Sequence, residues 1–97
     1  MEQDDCIRIY EKIFKEIKSN WEKFIKKIRK LSDPDDQNVI FMDDFMSLLH
    51  RYQIDITNED RERLVQVFPA GEENGRLRFN IAKLYDQKYN MKLRKLY

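Results

Sequence analysis

Residues 33–45 read DPDDQNVIFMDDF. Asp33, Asp35 and Asp36 stand at one end of this stretch, Asp43 and Asp44 at the other. Clustered side-chain oxygens are what a hard divalent cation such as Ca²⁺ or Mg²⁺ takes as ligands. Cation binding is therefore the first chemistry the sequence suggests. A second reading uses the same residues structurally. Asp33 and Asp35 suit a turn, and Asp43 and Asp44 suit the start of a helix, where negative charge meets the positive end of the macrodipole. Other reactive side chains have no supporting motif. Cys6 and His50 are single residues without a nucleophile–base arrangement around them, and no phosphate-binding or dinucleotide-binding fingerprint is present. Enzymatic activity is not expected.

The elements that position these residues follow from hydrophobic spacing. Ile7, Tyr10, Phe14, Ile17, Trp21, Phe24, Ile28 and Leu31 alternate steps of three and four. That is the stripe of an amphipathic helix. Ile9, Ile13 and Ile25 widen it, which favours burial in a globular core. Ser19-Asn20 interrupt the run with poor helix formers. The segment is one long or bent helix, or two helices over about 4–18 and 20–31 if the break is complete. Pro34 ends it, because the residue before a proline avoids the helical region. Val39-Ile40-Phe41 is β-prone. The segment MDDFMSLLHRYQI then predicts a helix with Phe45, Leu48, Leu49 and Tyr52 on one face. Thr57 caps the next helix, NEDRERLVQVF, with Asp60 three residues on. Pro69 and Gly71 stop that helix. A polar loop, PAGEENG, leads to a second β-prone patch, RLRF, and Asn80 caps a last helix over 81–97.

The two halves repeat. Asn38-Val39-Ile40 matches Gly75-Arg76-Leu77, placing Ile40 and Leu77 in equivalent positions 37 residues apart. Asn and Gly accept positive φ most readily, so each loop turns sharply before one β rung. Two such rungs can pair antiparallel. This order resembles the EF-hand pair, whose twelve-residue loop carries oxygen ligands at positions 1, 3, 5, 7, 9 and 12. With Ile40 at position 8, the resemblance implies a first-loop ligand set of Asp33, Asp35, Gln37, the Val39 carbonyl and Asp44. Phe41 stands at position 9 without a ligand, and Asp44 is shorter than the glutamate that Ca²⁺ prefers at position 12. Such a loop implies at most weak Ca²⁺ or Mg²⁺ binding. The second loop, with Leu77 at position 8, begins at Ala70 and ends at Ile81, so it has no oxygen at either end. No cofactor is required on this reading. The phrase FPAGEENGRLRF is similar to degenerate EF-hand modules of large ciliary and flagellar proteins, in which many modules dock or scaffold instead of binding metal. The fold this implies is all-α: two helix-loop-helix units over 19–97 joined by a short antiparallel β link, preceded by an N-terminal helical extension over 1–18.

Charge and composition bound the partners. The chain has 97 residues, 38% charged, yet 19 Lys and Arg nearly balance 18 Asp and Glu. Such balance argues against a general nucleic-acid binder. No apolar run reaches the ~20 residues of a membrane span, and no signal peptide is evident. One cysteine cannot form an internal disulfide, which fits a reduced intracellular setting, cytoplasmic or, by the resemblance, axonemal or cytoskeletal. The expected function is a protein-interaction or scaffolding module. Its partner is an amphipathic helix or a neighbouring module. Ile7, Tyr10, Phe14, Ile17 and Trp21 are the candidate partner-binding residues, either covering the chain's own groove or meeting a partner. Two alternatives stay open: a weak Ca²⁺/Mg²⁺ sensor through loop 33–44, and an electrostatic binder of an acidic surface or nucleic acid through the basic runs KKIRK and KLRK.

Overall fold

The hydrophobic stripe of residues 7–31 forms two helices, α1 (Glu2–Ile17) and α2 (Trp21–Leu31), joined by a 3₁₀ turn at Lys18–Asn20. A computed structural model describes residues 2–86. The joint falls where Ser19-Asn20 weaken the helix, and Lys18 takes a left-handed φ of 40° there. Ser32 ends α2. Its backbone N–H and its hydroxyl both donate to the Ile28 carbonyl, at 2.9 and 2.7 Å. Strand β1 (Val39–Phe41) runs directly into α3 (Met42–Arg51). At the end of α3, Gln53 adopts φ 59°. Its N–H donates to the His50 carbonyl and that of Ile54 to the Leu49 carbonyl. These two bonds satisfy two carbonyls of the last turn, and Ile54 is buried beside them. Thr57 caps α4 (Asn58–Val67) by accepting from Asp60 N–H at 3.0 Å.

After α4 the chain departs from the expected all-α architecture. Residues read as a polar loop form strand β2 (Pro69–Glu73), which pairs antiparallel with β3 (Arg76–Asn80) in a hairpin. β3 also pairs antiparallel with β1, giving a three-stranded sheet in the order β1-β3-β2. The molecule is therefore a mixed helix-and-sheet fold, not an all-α one. The cause is local. Asn74 and Gly75 both have positive φ, 53° and 78°, the geometry of the two-residue hairpin turn whose twist matches that of paired strands. Gly71, at φ 81°, sits where the β2–β3 register slips between Pro69 and Glu72, as at a bulge. The register also differs from the sequence alignment. Ile40 lies opposite Phe79, two residues beyond Leu77.

A short helix, α5 (Ala82–Tyr85), follows β3, with Asn80 Oδ1 accepting from Ala82 N–H at 2.9 Å. The remainder of the helix expected over 81–97, from residue 87 onward, lies outside the described residues. One apolar cluster joins every layer. α1 contributes Cys6, Ile9, Tyr10, Ile13 and Ile17, and α2 contributes Trp21, Phe24, Ile25 and Ile28. Phe45 and Leu49 of α3, Leu64 of α4, Phe79 of β3 and Leu84 of α5 also belong to it. Aromatic pairs connect the layers. Tyr10 stacks on Phe68 with centroids 6.1 Å apart, Phe24 meets Tyr52 edge-on at 5.4 Å, and Phe45 meets Phe79 edge-on at 5.2 Å. Among the described residues, no helix is long and apolar enough to cross a membrane.

Candidate functional site

Loop 33–44 is held closed by its own backbone. Asp33 Oδ1 accepts from Asp35 N–H at 2.8 Å, and Asp36 Oδ1 accepts from Asn38 N–H at 3.0 Å. These are the turns that aspartate makes with the peptide two residues on. The Val39 carbonyl, the expected backbone ligand, accepts from Asp33 N–H at 2.9 Å. The Gln37 carbonyl accepts from the Tyr85 hydroxyl at 2.7 Å, and the Asn38 carbonyl accepts from Ile81 N–H at 2.7 Å. The side chains of Asp35 and Gln37 are exposed.

Arginines of β3 meet the acids at both ends of the loop. Arg78 Nη1 lies 3.2 Å from Asp33 Oδ2 and 3.6 Å from Glu73 Oε2. Arg76 Nη2 lies 3.2 Å from Asp44 Oδ1, its Nε is 3.8 Å from Asp43 Oδ2, and its guanidinium sits over the Phe41 ring at 4.0 Å. Strand alternation puts Arg76 and Arg78 on one face, so a single element supplies both cations. A guanidinium with fixed, forked donors suits carboxylate pairing. Among the described residues, no group of three or more His, Cys, Asp or Glu side chains is placed to hold a metal ion. Asp33 and Asp44 thus sit at opposite ends of the loop facing arginine, while the Val39 carbonyl is taken by Asp33 N–H. Neither arginine stands out in a search for ligands. The signal that finds them is the alternation R-L-R after Asn-Gly, and it has meaning only once the hairpin is known.

The predicted partner-binding stripe lies inside. Tyr10, Ile17 and Trp21 are buried, and Ile7 and Phe14 are partly buried against the same core. Phe14 meets Trp21 edge-on with centroids 4.8 Å apart. A different surface stays open. Leu77 shares a strand face with buried Phe79 but projects past the core and is 49% exposed. It lines a groove of about 380 Å³ between α4, the hairpin and the start of α3, together with Met42, Asp43, Val65 and Arg76. No family model, curated protein or solved structure matches this chain.

Proposed function

We propose that this chain is a non-enzymatic protein-interaction module, folded without Ca²⁺ or Mg²⁺, whose groove between α4 and the hairpin receives an apolar side chain of an amphipathic partner helix. Leu77 is the observation that carries the reading. An apolar strand residue continuing a core face into solvent, beside an open groove that also holds Met42 and Val65, is the geometry that helix-in-groove recognition uses. Independence from a cation is supported by Arg76 and Arg78. A cation at loop 33–44 has to displace guanidinium groups already facing Asp33 and Asp44. The EF-hand relationship belongs to this proposal through residues 33–44 and β1 only, because a hairpin occupies the second loop. A ciliary or cytoskeletal setting rests on the resemblance of FPAGEENGRLRF alone.

Two measurements test the reading. Titration with Ca²⁺ and Mg²⁺, followed by NMR, is expected to give no saturable shift in residues 33–44 below about 1 mM, whereas an intact loop of this kind binds well below that. Saturation at micromolar cation restores the sensor reading. Selection of displayed helical peptides on the folded chain is expected to yield binders with apolar residues one turn apart. Their affinity should fall about tenfold or more, ~1.4 kcal/mol, on Leu77→Asp. Binders indifferent to Leu77 remove the groove from the proposal.

A further inference from the structure

The outer face of α2 plays no part in the core, the loop or the groove. Trp21, Phe24, Ile25 and Ile28 are its buried positions. Lys23, Lys26, Lys27 and Lys30 fall at i, i+3, i+4 and i+7, so they form a single exposed stripe on the opposite side. Arg29 flanks the stripe, and Glu22 is the only acid in the helix. Among the described residues, none of the four lysines is in an ion pair. Lys27 lies over the Tyr52 ring at 5.3 Å, which keeps its position fixed without cancelling its charge. Like charges one turn apart oppose each other, so Lys23, Lys26 and Lys27 do not serve the stability of α2, and of the four only Lys30, in the last turn, meets the negative end of the helix dipole. An apolar residue completes it. Leu31 follows Lys27 by one turn and is 40% exposed.

We infer that this stripe docks an acidic amphipathic helix of a partner protein. Carboxylates one turn apart on that helix meet Lys23, Lys26, Lys27 and Lys30, and an apolar residue beyond them covers Leu31. Charge complementarity sets the sign of the partner, and Leu31 sets its class. A phosphate backbone has no apolar surface to place on a leucine, whereas an amphipathic helix does. The size of the stripe points the same way. Lys23 to Lys30 spans about 10 Å of helix, two turns, which matches two turns of a partner helix and not a long polyanion track. The inference rests on the interaction-module reading but uses a different face from Leu77, so the two can fail separately.

The test uses two synthetic helical peptides and a short DNA duplex as probes. The first peptide carries Glu at i, i+3, i+4 and i+7 with Leu one turn further on, and its twin replaces each Glu by Gln. Followed by NMR on the full chain, the acidic peptide is expected to shift α2 resonances saturably and to weaken with added salt. K23E/K26E/K30E should abolish that binding, Leu31→Ser should weaken it about fivefold to tenfold, and Leu77→Asp should leave it unchanged. All these positions are exposed, and thermal melts check that the variants fold. Should the triple reversal not fold, K26Q/K30Q replaces it, with a smaller expected loss. Absence of saturable binding, or equal binding of the Gln twin, overturns the inference. Tighter binding of DNA that ignores Leu31→Ser overturns it in favour of a phosphate site. Concentration-dependent shifts on α2 without any peptide overturn it in favour of a second copy of this chain.

Discussion

Tyr10 shows how a single polar atom can be isolated inside this core. Its side chain is fully buried, and among the described residues its hydroxyl has no hydrogen-bond partner. Leaving a buried hydroxyl unpaired costs about 1–3 kcal/mol. The same burial, with a smaller contribution from the neighbouring Cys6 thiol, holds the phenol pKa well above its ordinary value of 10.0. The sign of the linkage follows. In the unfolded chain Tyr10 releases its proton near pH 10, while the folded chain retains it. The stabilisation of the neutral phenol is fully present below that pH and is lost above it, at about 1.4 kcal/mol per pH unit. Tyr10→Phe removes both effects. Urea denaturation is expected to show the variant as stable as the wild type at about pH 7, or up to ~1 kcal/mol more stable. Above about pH 10 its stability should decline less steeply, since the other tyrosines titrate in both proteins. Parallel curves for the two proteins would mean that the hydroxyl reaches solvent.

At the scale of elements, the hairpin depends on its turn. Gly75 has φ 78°, and a Cβ placed there meets nothing within 4 Å, so a substitution acts through the backbone and not through a clash. Gly75→Ala should cost ~1–2 kcal/mol, the penalty of holding an L-residue in the left-handed region, and a β-branched Gly75→Val should cost more. Thermal melts measure the loss, and amide exchange should show it concentrated in Arg76–Asn80. A uniform increase in exchange across the helices would mean instead that the hairpin unfolds only with the whole domain. A sharp turn at Gly75 is visible in the sequence, but its pairing with Asn74 as a hairpin turn and the strand β2 are not. Its Glu72 and Glu73 are exposed and polar, and the strand exists because its backbone pairs with β3, so it carries no hydrophobic period to reveal it. The α1–α2 stripe was legible for the opposite reason, since each buried residue reports its face by spacing. Leu77 and Phe79 occupy the same strand face, so local sequence does not decide which lies opposite Ile40. Tertiary packing makes the choice, burying Phe79 in the core and leaving Leu77 49% exposed. The roles of Arg76 and Arg78 depend on it in turn, which is why the arginine partners of Asp33 and Asp44 were not foreseen.

For the whole molecule, the informative boundary is the one the sequence suggests between residues 18 and 19. α1 places five apolar side chains, Cys6, Ile9, Tyr10, Ile13 and Ile17, in the same cluster as Leu64, Phe79 and Leu84. Full burial of an isoleucine side chain contributes roughly 1.5–3 kcal/mol, so Ile9, Ile13 and Ile17 alone supply on the order of 5–9 kcal/mol, an upper estimate because unfolded chains are partly compact. A domain's entire net stability is about 5–15 kcal/mol. A chain of residues 19–97 is therefore expected to lose cooperative folding, bind a hydrophobic dye and show a collapsed amide NMR spectrum. Adding a peptide of residues 1–18 in excess should restore dispersion, because binding to the folded form alone draws the equilibrium towards it. This outcome would make Ile7, Tyr10, Phe14 and Ile17 integral to the fold and leave partners to the groove and the basic face of α2. If residues 19–97 instead melt sharply near the wild-type Tm and bind the 1–18 peptide as they bind other amphipathic helices, α1 is a displaceable occupant. The same face would then admit a partner in its place.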